Sequence, residues 1–342
     1  MYSESDIDGA VAAGAISPDA AMALRRYVAT AQAAPAVDEE HFRLLTGFND
    51  IFVSIALVLL LTALGQIGFQ ITHALSGAFV AAASWPLALY FTARRRMALP
   101  SILLLLSFVG GVAGALAGGI ETAFPHIDER AGALAVSAVG IVAAGAAWLH
   151  WRRFMVPITV AAGAAATVAV AIGLLMAVIP DVKQGVWPLL LIGGLGVFAL
   201  AMRWDMSDVR RETRRSDVAF WLHLAAAPMI AHPIFQMLGV FNGEIGGGTA
   251  ALVLILYVLF GALALAVDRR ALLVSSLVYV LYALYSLIRS AGAIELGAAF
   301  TALVIGSALL TLSALWQPMR RSIVGALSQP LRLRLPPVQQ PA

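Results

Sequence analysis

Cysteine is absent from the 342 residues, which excludes disulfides, thiolate metal sites, iron–sulfur ligation and cysteine nucleophiles. Charge is scarce as well. Asp, Glu, Lys and Arg make up 12% of the chain against 61% hydrophobic residues, a balance outside the range of water-soluble domains. Lysine is nearly missing, with Lys183 alone among the 22 basic residues. No glycine loop ending in Gly-Lys-Ser/Thr, no His-Glu-x-x-His and no Gly-x-Ser-x-Gly framed by a strand and a helix is present, so the chain is not read as an enzyme. The histidines do not fall at chelating spacing, so neither a metal nor another cofactor is expected.

What the chain has in abundance is apolar length. Runs of bilayer-crossing size fall at about 51–70, 74–93, 99–119, 131–151, 155–179, 187–202, 218–238, 249–267, 271–289 and 298–316. The expected fold is therefore an all-α polytopic membrane protein of about ten transmembrane helices. The sixth run is short and is expected to extend over neighbours such as Trp187 and Trp204. Three parts follow: a cytosolic helical lead over 1–48, a bundle over 49–317 and a disordered cytosolic tail over 318–342. The polar, acidic lead lacks a signal-peptide pattern, so the first run is expected to act as an uncleaved anchor.

Arginine placement gives an independent count. The connections after even-numbered runs, the lead and the tail hold 19 of the 22 basic residues, while the other side holds only Arg130, Lys183 and Arg289. Such a split places both termini in the cytoplasm and requires an even number of crossings. It also accounts for the basic loops without nucleic acid. Ten spans divide into two groups of five, and an odd-numbered half inverts on duplication, as in inverted-repeat carriers.

The richest stretch is 203–238, where a charged loop runs into an apolar segment with two histidines and two prolines. Ser216 suits a helix N-cap and Asp217 the positive end of the helix dipole. Pro228 and Pro233 cannot donate to the carbonyls of Leu224 and Met229, which predicts a kink and two acceptors in need of partners. His223 and His232 are candidates to meet them, either as interhelical glue or as groups on a substrate or proton path. Tyr282 and Glu295 supply further polar groups for such a path. Arg210, Arg211, Arg214 and Arg215 are candidates for anionic lipid headgroups. Gly110, Gly114 and Gly118 form a four-residue-spaced stripe suited to close helix packing, and Gly193, Gly194 and Gly196 offer packing or a break.

In the lead, Ser17 reads as a cap, Pro18 as the first helical residue and Asp19 as a first-turn acid. A helix is expected from Pro18 to about Gln32, then a short amphipathic helix over 39–49, capped by Asp38 and carrying Phe42, Arg43 and Leu45. The segment GAISPDAAMALRRYV, together with RRSDVAFWLHLAAAPMIAHPIF, resembles a group of uncharacterised bacterial multi-span proteins. That resemblance implies a bacterial inner-membrane protein and transfers no activity. Two functions lead on sequence, ahead of a lipid-modifying enzyme in which His223, His232 and Glu295 would act as acid or base but for which no nucleophile is evident. One is a carrier or permease-like protein for a small solute with a polar site near the seventh span. The other is an accessory or scaffold subunit binding a protein partner at the cytosolic face, through the lead or the 203–217 loop.

Reporter fusions after Arg96, Arg153, Arg215 and Arg270 are expected to report cytoplasm, and fusions near Asp128, Asp181 and Gly247 the opposite side. Two successive fusions on the same side would remove a crossing.

Overall fold

The computed structural model describes residues 4–24, 48–179, 185–209, 211, 213–240, 247–270, 273, 277, 280–282, 284–285, 297–332 and 334–337. The chain divides into two units, Met1–Leu44 and Leu45–Ala342. In the first, α1 spans Glu4–Ala12, and Gly14 turns the chain at positive φ. Ser17 then caps the next helical stretch as expected: its Oγ accepts from the amide of Ala20 at 3.1 Å, and residues 18–24 are helical. The expected end of that helix and the amphipathic segment 38–47 lie outside the described residues.

The second unit is helical throughout its described regular structure. Its helices are α2 (Phe48–Ile71), α3 (His73–Ala88, continued by a π-helical turn Leu89–Arg94), α4 (Ala98–Ala123), α5 (Glu129–Phe154), α6 (Ile158–Val178), α7 (Val186–Met206) and α8 (Arg214–Met237). α9 (Gly247–Val267), α10 (Gly297–Ala314), α11 (Trp316–Ala326) and α12 (Gln329–Arg332) follow. Among the described residues seven helices, those of α2 to α8, are long and apolar enough to cross a bilayer. An eighth results if α10 and α11, bent by 72° at their junction, count as one crossing. The sixth run extends over both flanking tryptophans to 21 residues, enough for a crossing of roughly 30 Å. The ninth run is only partly described.

One expectation fails at the carboxyl end. The segment from 318 was read as disordered, yet α11 covers most of its first part and Arg320 within it is 1% exposed. Its guanidinium donates to the carbonyls of Pro336 and Pro337 at 2.7 and 3.2 Å. Polar average composition concealed this, because the helix buries one narrow face that combines Trp316 and Val324 with the Arg320 cation.

Helices that are consecutive in sequence pack in hairpins, α3 on α4, α5 on α6 and α7 on α8. Glycine sets how closely they approach. A Cβ on Gly77 of α3 would lie 2.2 Å from the amide nitrogen of Ala115, and one on Gly118 of α4 2.5 Å from the backbone of His73. Gly173 of α6 meets Ala133 and Ser137 of α5, and Gly194 of α7 meets the backbone of Met229 on α8. The stripe on α4 differs from the expected one. Gly111 and Gly118 make backbone contact, Gly114 only touches Gly77 at 3.9 Å, and Gly110 faces open space. Seven residues return nearly to the same helix face at about 100° per residue, whereas eight drift by roughly 80°.

At the end carrying the arginine-rich connections, the hairpins share a further feature. Arg96, Met155, Arg211 and Asp268 are left-handed, with φ of 55°, 55°, 56° and 60°, and among the described residues no other non-glycine has positive φ. They recur at intervals of 59, 56 and 57 residues (96 to 155, 155 to 211, 211 to 268). The first three turn the chain between the two helices of a hairpin and Asp268 follows α9, each at the position where a left-handed residue satisfies terminal carbonyls. The backbone repeat is therefore two helices long, an even unit that does not invert, in contrast to the five-helix halves considered from sequence.

Gly77→Ala is expected to lower stability by about 1–3 kcal/mol because backbone cannot yield. Gly110→Ala, with nothing to strike, should be neutral or stabilising by up to about 1 kcal/mol. Thermal unfolding of both variants in one detergent checks the assignment, and equal losses would refute it.

Candidate functional site

α8 is the most enclosed of the spans: 56% of its apolar window is buried, against 33% or less for the other six. Its small residues explain this, since Ala219, Ala226, Ala227 and Ala231 let neighbours close on it. Val218, Leu222 and Ile230 pack with Ala161 of α6 and Val197 and Ala201 of α7. The helix runs unbroken through Pro228, which is exposed, and Pro233, which is buried. Gly194 leaves room for the Met229 carbonyl that Pro233 frees.

The start of α8 differs from the sequence reading. Thr213, not Ser216, is the N-cap, and its hydroxyl accepts from the Arg215 amide at 3.2 Å. Asp208 fixes that cap by accepting from the Thr213 amide and hydroxyl at 2.9 and 2.7 Å. A carboxylate that binds both groups of a threonine outcompetes a serine three residues further on. Ser216 instead offers its carbonyl to Arg269 at 3.2 Å.

The charged stretch is only partly a solvated loop. Arg203 and Asp205 lie in the last turn of α7, and Asp205 is 3% exposed. Its Oδ2 accepts from His223 Nε2 at 2.8 Å and from Arg269 Nε at 3.3 Å, while its Oδ1 accepts from Arg269 Nη2. His223 is 0% exposed and Arg269 3%. α7 and α8 run antiparallel, so the Cα–Cβ bonds of Asp205 and His223 lean towards each other along the pair. The edge of Phe198 closes over the imidazole with ring centroids 5.2 Å apart. His223 Nδ1 has no hydrogen-bond partner among the described residues, so one proton, on Nε2, fits this arrangement.

A second carboxylate extends the cluster. Asp268 accepts from Arg211 Nη1 at 3.1 Å and from the Trp316 indole at 2.9 Å, and Arg320 Nε lies 3.5 Å away. Arg211 also donates to the carbonyls of Val267 and Asp268, which closes the end of α9. Arg270 lies over the Trp316 ring at 4.8 Å. Together Asp205 and Asp268 gather Arg211, Arg269 and Arg320, and tie α7, α8, α9 and α11 at one end of the bundle.

The other sequence candidates fall elsewhere. His232 is half-buried, with its ring against Trp187 of α7 at 5.1 Å. Tyr282 is 39% exposed. Arg210 and Glu295 lie outside the described residues. The four-arginine headgroup patch is not uniform, because Arg211 turns inward to Asp268 whereas Arg214 and Arg215 are exposed. Sequence reasoning missed Asp205, Arg269, Asp268, Trp316 and Arg320 as partners of the site. A usable signal existed, namely an acid inside the last turn of an apolar run and an arginine immediately after another, where a charge needs a partner. Comparison with protein families, with curated proteins and with solved structures finds no match.

Removing one member of a buried ion pair strands the other, at a cost of about 3–5 kcal/mol, whereas apolar replacement of both is often neutral. Asp205→Leu alone is therefore expected to lower the melting temperature far more than Asp205→Leu combined with Arg269→Met. Additive losses in calorimetry would show that the two residues are not coupled.

Proposed function

We propose that the chain is a ten-span protein of the bacterial inner membrane, with both termini cytoplasmic, that acts as a carrier or permease-like protein for a small solute. The reading rests on one observation, the Asp205–His223–Arg269 cluster sealed among three helices at the arginine-rich end. Ionisable groups held within spans are costly, and where they persist they mark ion or solute pathways. Here they also have the makings of a two-state element. In the present arrangement a second proton on His223 would sit at Nδ1 without an acceptor, so its arrival favours any arrangement that supplies one. α8 would carry the change, since His223, His232, Pro228 and Pro233 all lie on it. Arg214 and Arg215 would hold its exposed start at anionic headgroups.

The absence of cysteine makes the test direct. Spin labels on cysteines placed at the exposed positions Ser207 and Arg321 report the distance between the end of α7 and α11. In nanodiscs that distance is expected to change as the pH falls from neutral through the acidic range, when histidine takes up its second proton. The change should vanish in His223→Gln and persist in His232→Gln. A distance constant over that range in the unsubstituted protein would instead support an accessory subunit whose charged cluster only locks the cytosolic face for a partner.

A further inference from the structure

Far along the bundle from the arginine-rich turns, α2, α3 and α4 border two adjoining open clefts of about 630 and 440 Å³ that share Phe69, Ser76, Val80 and Ser107. Along α4 they reach from Ser107 to Glu121, roughly 21 Å at 1.5 Å per residue. Their hydroxyls lack the bond that many helical hydroxyls of this chain make, as do those of Ser54 and Thr92. Ser84, Ser101, Thr122, Ser137, Thr167 and Thr311 each donate to the carbonyl four residues earlier, the usual way a helical hydroxyl is satisfied at membrane depth. Among the described residues, Thr62, Ser76 and Ser107 in the cleft wall make no such bond, and the Gln66 amide beside them is exposed. In a segment that faces hydrocarbon, unspent donors are stabilised only by something that brings acceptors to them.

The outer end of the cleft has the opposite character. His73 Nδ1 lies 3.0 Å from Glu121 Oε2, and the His73 ring stacks on Phe69 at 4.6 Å. The Glu121 side chain is 68% exposed, and His73 engages only one of its oxygens. The second oxygen of Glu121 suits an organic ammonium, held by charge at the end of a cleft that Phe69 also lines. Between the two ends the floor is flat, because Gly110, Gly114 and Ala117 put almost nothing above the helix backbone.

We infer that this cleft is a lateral binding site for an amphiphilic amine, its ammonium at Glu121 and its apolar body along the glycine floor, with acceptors on that body meeting Thr62, Ser76 and Ser107. The site is independent of the cluster around Asp205 and requires no transport.

The probe is an amine of dodecyl length with two ether oxygens in its chain and a terminal diazirine, added to the full chain in phosphatidylcholine nanodiscs, with labelled peptides mapped by mass spectrometry. Labelling is expected to saturate on α2 to α4, to be displaced by dodecylamine and not by dodecanol or dodecanoate. It should weaken about tenfold in Glu121→Gln. Gly110→Leu, whose side chain would enter open space and fill the cleft, should abolish it; both variants lie on exposed positions, and unchanged melting temperatures establish that they fold. Non-saturating labelling, equal displacement by dodecanol, stronger displacement by dodecanoate, or unchanged labelling in Glu121→Gln would each overturn the assignment. Crosslinking of α4 to a second copy in place of the probe would assign the cleft to self-association and overturn it as well.

Discussion

A carboxylate at the end of a membrane helix has almost no water to answer it, and Asp205 is answered by His223 and Arg269 instead. Most of the architecture at that end follows from this requirement. Arg269 reaches Asp205 only because the left-handed Asp268 turns the chain after α9. Asp268 then has its own carboxylate to satisfy, and Arg211, Trp316 and Arg320 converge on it. Each buried charge recruits the next, and four helices are fixed in register by groups that hydrophobic packing alone would not distinguish.

The helices themselves associate by different means. Lipid is as apolar as leucine, so burying leucine between spans gains little, and close backbone contact through small residues takes its place. Gly77, Gly118, Gly173 and Gly194 serve that purpose, each between helices adjacent in sequence. The bundle thus has two kinds of cement: contact along the length of each hairpin, and ion pairing across hairpins at one end.

The positions of the first seven spans were legible in the sequence, because an apolar run of bilayer length has no other stable fate in a chain so poor in charge. The fold's finer features were not. The four-residue spacing of Gly110, Gly114 and Gly118 suggested a stripe, yet helix pitch gives the contact to Gly111 and Gly118. Ser216 resembled a cap, but Asp208 had already committed Thr213 to that role. His223 was visible as an anomaly in an apolar run, whereas its partners were hidden: Asp205 looked like a loop residue and Arg269 like a topology signal. Pairing of charges distant in sequence leaves no local periodicity, so only the folded backbone reveals it.

The recurring left-handed turns also bear on how such a chain can grow. A unit that crosses twice returns to the side from which it started, so adding or losing one hairpin of about 57 residues leaves the sidedness of every other segment unchanged. A single-helix insertion would reverse everything downstream of it. Length variation by whole hairpins is therefore the inexpensive route open to this architecture. The Asp268 turn marks the natural seam, since ion pairs cross it while the hairpins before it are closed by glycine contacts of their own.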